Sequence, residues 1–285
     1  LLLAGGTSGV IAKTCVAPFD RVKILFQTYS TVYTSRRLVP TLVQIYNNEG
    51  IKGWFRGNTS HVVRVFPYAA IQFASFERYK LLMRSSGIPG ANFLAGSCAG
   101  ATAVCLTYPL DLIRARLAIR ADDAVGIREV VRSLAAEGGG IGKFFSGLSP
   151  TLVGIVPYAG INFFVYEGLK GTYLRRHGMN ENDSIPTPFR LAFGASAGLA
   201  AQTVTHPLDV IRRRIQVMNV AQHLGVAYTG TWNALSTIWI KEGMRGLFLG
   251  LSLNYAKVVP QVAIAFTVYD TLKKTFNLSG SVKAE

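Results

Sequence analysis

Three prolines are each followed by an aspartate two residues on and by a lysine or arginine five residues on: "PFDRVK" from Pro18, "PLDLIR" from Pro109 and "PLDVIR" from Pro207. A second triplet places an aromatic residue before an acid, with a lysine three residues after it: Phe76, Glu77 and Lys80; Tyr166, Glu167 and Lys170; Tyr269, Asp270 and Lys273. Acid and base three apart lie on one side of a helix. The chemistry on offer is reversible ion pairing, and three-fold repetition turns each motif into a ring. Asp20, Asp111 and Asp209 with Lys23, Arg114 and Arg212 would pair between neighbouring helices and close one end of a central cavity. The second triplet would close the other end. Buried ion pairs are costly to desolvate and weak as net stabilisers, so two such rings make a poor static brace and a good pair of gates. If one is paired while the other is open to water, access alternates.

Covalent chemistry finds no comparable support. There is no GxSxG or Walker loop, and His61, His177, His206 and His223 share no metal-ligand spacing, so no enzyme activity, metal or cofactor is expected. Cys15, Cys98 and Cys105 form no CxxC pair and no even set for disulfides. They are expected as small buried residues in helices.

The elements that must hold these rings follow from composition and offsets. The chain has 285 residues, 49% hydrophobic and 16% charged, with mean hydropathy +0.29 and net charge +15. That is too apolar for an ordinary soluble domain and too charged for a bundle of purely lipid-facing helices. A polytopic membrane protein with a polar interior satisfies both, because intramembrane charges face a cavity. The bases are spread through apolar segments instead of gathered on one polar face, which disfavours nucleic acid as partner and favours anionic lipid or a small anion.

Gly5/Gly9, Gly96/Gly100 and Gly194/Gly198 stand upstream of the three aspartate motifs, a spacing that lets membrane helices approach closely. Pro67, Pro157 and Pro260 stand ten residues before each acid of the second triplet. All six prolines are expected to kink their helices. Between the triplets lie "EGIKGWFRG" from Glu49, "EGGGIGKFFSG" from Glu137 and "EGMRGLFLG" from Glu242. Each unit then holds two long apolar helices and a shorter one. The expectation is an all-α membrane protein of three tandem repeats (1–87, 88–185 and 186–285), its six kinked transmembrane helices forming one barrel with pseudo-three-fold symmetry. One chain encloses its own cavity, so a monomer suffices.

These motifs resemble the mitochondrial carrier family over essentially the whole chain. The resemblance implies a multi-pass transporter of the mitochondrial inner membrane that works by alternating access. It assigns the aspartate ring to a matrix gate, paired Asp20–Arg114, Asp111–Arg212 and Asp209–Lys23. The other ring becomes a cytoplasmic gate, paired Glu77–Lys170, Glu167–Lys273 and Asp270–Lys80. It implies bracing glutamines four residues after each matrix base, present as Gln27 and Gln216 but replaced by Ala118 in the middle repeat. Bracing tyrosines Tyr166 and Tyr269 stand at the cytoplasmic gate, where Phe76 lacks the hydroxyl. Phe55, Arg56 and Gly57 resemble the family's cardiolipin-binding element, which is weakened to "FSG" and "FLG" in the later repeats.

The same resemblance places the main substrate contacts thirteen residues before each cytoplasmic-gate acid, at Arg64, Gly154 (with Ile155 beside it) and Lys257. Lys13, seven residues before Asp20 and ~10 Å from it on nearly the same helix face, is a further contact, and Arg213 is another basic candidate. A Gly-Ile pair resembles carriers of adenine-containing compounds: glycine leaves room for a flat ring, isoleucine packs on its face, and the bases hold phosphate. "VAPFDRVKILFQ", "FPYAAIQFASFERYK" and "VPYAGINFFVYEGLK" are most similar to the coenzyme A carrier and Graves disease carrier group. The expected substrate is therefore a small anion, namely coenzyme A, ADP or adenosine 3′,5′-diphosphate, taken by exchange. An ATP-Mg/phosphate or ADP/ATP type of carrier is the alternative.

Overall fold

A computed structural model describes residues 2–28, 37–84, 91–120, 126–138, 140–179, 185–218 and 228–275. The boundary expected between residues 87 and 88 lies outside them. The described residues form α1 (Leu2–Cys15), α2 (Ala17–Gln27), α3 (Leu38–Trp54), α4 (Asn58–Arg84), α5 (Ala91–Ile119), α6 (Ile127–Ala136), a 3-10 turn (Gly140–Phe145), α7 (Leu148–Arg176), α8 (Thr187–Val217), α9 (Thr231–Leu247) and α10 (Leu251–Thr275). No strand occurs among them. The pattern is long, short, long, three times over, with α1 and α2 together standing where α5 and α8 stand later. The most extensive packing is between successive units, α4 on α5, α7 on α8 and α10 on α1, which closes the six long elements into a ring.

Among the described residues three segments are long and apolar enough to cross a membrane by composition alone: Ala91–Ile119, Gly140–Arg176 and Leu251–Thr275. The 27-residue α4 has the length, ~40 Å at 1.5 Å per residue. Its charges, like those of α2 and α8, lower its hydropathy because they serve the interior.

The ring narrows at one end. There α2, α5 and α8 meet, and Ile24, Ala115, Ala118, Ile119 and Val217 form an axial cluster. Three further clusters seat each short helix on its own repeat: Ile45 with Val22 and Leu25, Val130 and Leu134 with Leu112, and Ala234 and Ile238 with Ile211. The acid-glycine dipeptides explain themselves here. Gly50, Gly138 and Gly243 have φ of 66°, 71° and 65°, the left-handed region that glycine enters without strain.

Pro18 coincides with a break between α1 and α2 at Val16, and the other five prolines stand inside helices that run on past them. Two expectations change. The Gly-xxx-Gly pairs do not mark tight seams. A Cβ at Gly5, Gly9, Gly100, Gly194 or Gly198 would meet nothing within 4 Å, and Gly96, Gly100 and Gly194 line the interior cavity. Their missing side chains widen the lumen. Cys15 and Cys98 are free and exposed, and Cys105 is half-buried; an apolar thiol needs no burial on a helix face that lipid covers.

Candidate functional site

At the narrow end the structure joins the three repeats through their aspartates. Arg114 Nη2 lies 2.7 Å from Asp20 Oδ2, Arg212 Nη2 lies 2.5 Å from Asp111 Oδ2, and Lys23 Nζ lies 3.4 Å from Asp209 Oδ2. Each pair crosses from one repeat to the next, so the three close a ring.

Every acid also holds a further group. Asp111 accepts from Arg64 Nη1 at 3.2 Å, Arg213 Nη1 at 3.3 Å and Gln216 Nε2 at 3.1 Å. Asp20 accepts from Lys257 Nζ at 2.7 Å. Asp209 accepts from Gln202 Nε2 at 2.7 Å. Arg64 is fixed by a bond from its Nε to Thr107 Oγ1 at 3.1 Å and lies over the Tyr68 ring at 5.0 Å. Lys13 makes no ion pair among the described residues, although Asp20, Lys257, Arg114 and Arg64 all act on it electrostatically. Arg64, Lys257 and Arg213 are therefore drawn onto the ring acids.

The two expected braces behave differently. Gln216 reaches Asp111, donates to Tyr108 Oη at 3.0 Å and accepts from Arg213 at 2.8 Å. Among the described residues Gln27 does not brace its pair: it is fully buried, and neither of its side-chain polar atoms has a partner there. Gly250 lies against its stem, and Gln202 occupies Asp209 from the other side. Gln202 was not singled out from the sequence. Its signal was available, since it stands seven residues before Asp209, the offset at which Lys13 precedes Asp20.

Gly154 breaks the symmetry above the ring. Arg64 reaches Asp111 and Lys257 reaches Asp20, but the corresponding residue of the middle repeat has no side chain to offer Asp209. A cavity of about 730 Å³ lies there among α4, α5, α7 and α8, and runs down to Asp209 and Arg212. Gly154, Ile155, Tyr158 and Tyr166 line it, and Lys13, Arg64, Lys257 and Arg213 do not. The expected contacts thus divide into an open groove on the Gly154 side and a knot of ion-paired cations beside it.

The second ring is not assembled. Among the described residues no ion pair joins Glu77 to Lys170, Glu167 to Lys273 or Asp270 to Lys80. Lys170 instead lies 3.9 Å from Glu167 on its own helix, and Lys80 lies over Phe76 at 5.9 Å. Glu77, Glu167 and Asp270 are exposed, and Tyr269 is half-buried without a hydrogen bond among the described residues. Among the described residues α4, α7 and α10, which carry these side chains, have no extensive contact with one another, whereas α2, α5 and α8 meet at the narrow end.

A deeper set of three arginines was also missed. Arg21 Nη2 binds Glu49 Oε1 at 2.6 Å and its Nε donates to the carbonyl of Ala118 at 3.0 Å. Arg116 Nη2 binds Glu137 Oε2 at 3.0 Å and its Nε donates to the carbonyl of Gln216 at 3.2 Å. Arg214 Nη2 binds Glu242 Oε2 at 2.7 Å and its Nε donates to the carbonyl of Gln27 at 3.0 Å. The three acceptor carbonyls each lie nine residues after the repeat's proline, in a last helical turn whose carbonyls lack intrahelical partners. Two donors stand seven residues after their prolines; in the first repeat that place is Leu25, and Arg21 reaches the same target from one turn earlier.

Arg56 is also turned inward. Its Nε lies 3.4 Å from Glu49 and its Nη1 donates to the Arg120 carbonyl at 2.8 Å. Phe55 remains exposed. Gly57, Gly147 and Gly250 have φ of 82°, 84° and 84°, and a Cβ on Gly57 would come 2.9 Å from the Arg114 carbonyl. The positive φ that all three share accounts for a glycine in "FRG", "FSG" and "FLG" alike.

A sequence model described as Mitochondrial carrier protein matches residues 1–87, 88–177 and 183–280. The chain is 42% identical to "Mitochondrial substrate carrier family protein P" of Dictyostelium discoideum, covering 96% of this chain and 93% of the relative. It is 42% identical to "Mitochondrial coenzyme A transporter SLC25A42" of Xenopus tropicalis, covering 98% and 87%. It is 41% identical to "Mitochondrial carrier protein CoAc1" of Arabidopsis thaliana, covering 95% and 88%.

Proposed function

Because this chain belongs to the mitochondrial carrier family, we propose that it exchanges coenzyme A for a smaller adenine nucleotide, adenosine 3′,5′-diphosphate or ADP, by alternating access. It is a multi-pass transporter of the mitochondrial inner membrane and not an enzyme. The observation that carries the mechanism is the asymmetry of the two rings. The aspartate ring is closed by three interrepeat pairs, while among the described residues no ion pair joins the repeats at Glu77, Glu167 and Asp270. By resemblance, the matrix gate is shut and the cavity faces the cytoplasmic side.

The site then works by competition. Lys257 and Arg64 are held by Asp20 and Asp111, so an arriving phosphate group offers them a second anionic partner. Transfer of these cations to the phosphate weakens the ring, and binding energy is spent on opening the gate. The groove beside Gly154 and Ile155 admits the flat adenine ring, and Arg212 and Asp209 lie at its floor. The relatives named as coenzyme A carriers support this substrate over the ATP-Mg/phosphate alternative. A cardiolipin contact at Phe55 to Gly57 rests on the exposed Phe55, since Arg56 is engaged within the protein.

The test is uptake of labelled coenzyme A into proteoliposomes loaded with adenosine 3′,5′-diphosphate. Saturable uptake is expected. Absence of uptake together with brisk ATP or ADP exchange overturns the coenzyme A reading and leaves an adenine nucleotide carrier.

A further inference from the structure

We propose that His61 braces the Asp20–Arg114 pair in place of the glutamine that the middle repeat lacks, a role that rests on reading the aspartate ring as a gate. The residue four after each ring base is Gln27, Ala118 or Gln216. At Gln216 the amide ties Asp111 and Arg213 together. The methyl group of Ala118 offers Arg114 nothing, so the Asp20–Arg114 pair lacks this support from its own repeat.

His61 supplies it from the first turn of α4. Arg114 presents one guanidinium nitrogen, Nη2, to Asp20 at 2.7 Å and the other, Nη1, to His61 Nδ1 at 2.9 Å. Arginine only donates, so Nδ1 accepts, and the imidazole N–H sits on Nε2. That Nε2 is buried and has no hydrogen-bond partner among the described residues. An unsatisfied buried donor is a cost that a ring selected only for packing would not carry. The surrounding turn is held firmly enough to aim it. Asn58 Nδ2 donates to Thr14 Oγ1 at 3.1 Å, Ser60 Oγ donates to the Leu110 carbonyl at 2.8 Å, and Arg64 binds Asp111. His61 is therefore a positioning residue that acts through Arg114.

Gly57, Gly147 and Gly250 pack over positions 118, 216 and 27 in the same left-handed conformation, but Ala17 stands where Tyr108 holds the Gln216 amide. Removal of the His61 imidazole beside Arg114 is what opens space for a glutamine at residue 118.

The experiment is thermal unfolding of the full chain in mild detergent without substrate, run beside exchange measurements. His61→Ala is expected to lower the melting temperature by about 3 °C, and His61→Asn, whose Oδ1 accepts in place of Nδ1, by less than about 1 °C. Ala118→Gln added to His61→Ala is expected to restore at least half of the loss. In an Asp20→Asn background, His61→Ala is expected to cost little more, because the pair it braces is already gone. Equal losses for alanine and asparagine, or an undiminished loss in the Asp20→Asn background, overturn the brace. If Ala118→Gln does not fold, the asparagine variant and the double-mutant cycle still decide. Failure of the gate reading shows separately, as full exchange by Asp20→Asn.

Discussion

Arg64 and Lys257 hold ring carboxylates at 3.2 and 2.7 Å, and the equivalent place in the middle repeat is Gly154. The missing side chain is what lets the cavity reach Asp209. Gly154→Arg should therefore fold, because a Cβ there meets only Leu208 at 3.6 Å. It should also cut labelled coenzyme A uptake at least ~10-fold by filling the groove and capturing Asp209, an effect equal to about 1.4 kcal/mol of lost transition-state stabilisation. Arg64→Ala should abolish exchange while the protein still inserts and binds detergent normally; retained transport removes Arg64 from the site. Both positions came from the resemblance to the carrier family and not from spacing, since thirteen residues do not return to the same helix face. What was not legible is that Gln202, and not Gln27, serves Asp209. A side chain's offset names its helix face, but whether its amide reaches a carboxylate depends on what the neighbouring repeat places between them.

The arginine set beneath the ring belongs to the scale of elements, because it fastens each short helix and the end of the adjoining long helix to one guanidinium. Arg21, Arg116 and Arg214 are all at most 2% exposed. Breaking such a buried pair costs about 3–5 kcal/mol because the remaining charge is stranded. Arg21→Ala should show a smaller loss than this in thermal unfolding, because Glu49 keeps Arg56 at 3.4 Å. Leu25→Arg added to Arg21→Ala should recover much of it, since residue 25 occupies the place from which Arg116 and Arg214 act. No recovery would mean that the first repeat's geometry, and not just its sequence, differs at that turn. Gly57→Ala should destabilise by about 1 kcal/mol or more through its positive φ, before counting its approach to the Arg114 carbonyl. In the sequence Arg21 carried no signal of this role. Its target is a backbone carbonyl, which every residue has, so no pattern of side chains announces it.

For the whole molecule, the proposed mechanism makes the two rings alternatives, one carried by α2, α5 and α8 and the other by α4, α7 and α10. Pairing the aspartate ring draws α2, α5 and α8 together and leaves α4, α7 and α10 apart at the far end, where Lys170 settles for its own helix's Glu167 at 3.9 Å. A substrate that bridges the repeats should stabilise the chain by mass action. Coenzyme A at ~100 times its dissociation constant should add ~2.7 kcal/mol, seen as a raised melting temperature. ATP and phosphate at equal excess should add less if coenzyme A is the transported compound. By itself the sequence determined the three repeats, the members of the aspartate ring, the polar interior and the six long elements, because periodic side chains and fixed offsets express helix geometry directly. Only the tertiary structure decided which ring is closed, that Gln202 and His61 are engaged while Gln27 has no partner among the described residues, that Gly96, Gly100 and Gly194 line the lumen, and that Arg21 stands in for the arginine missing at Leu25. Each of these depends on contacts between segments far apart in the chain, and their outcome is set by packing across repeats and not by spacing within one.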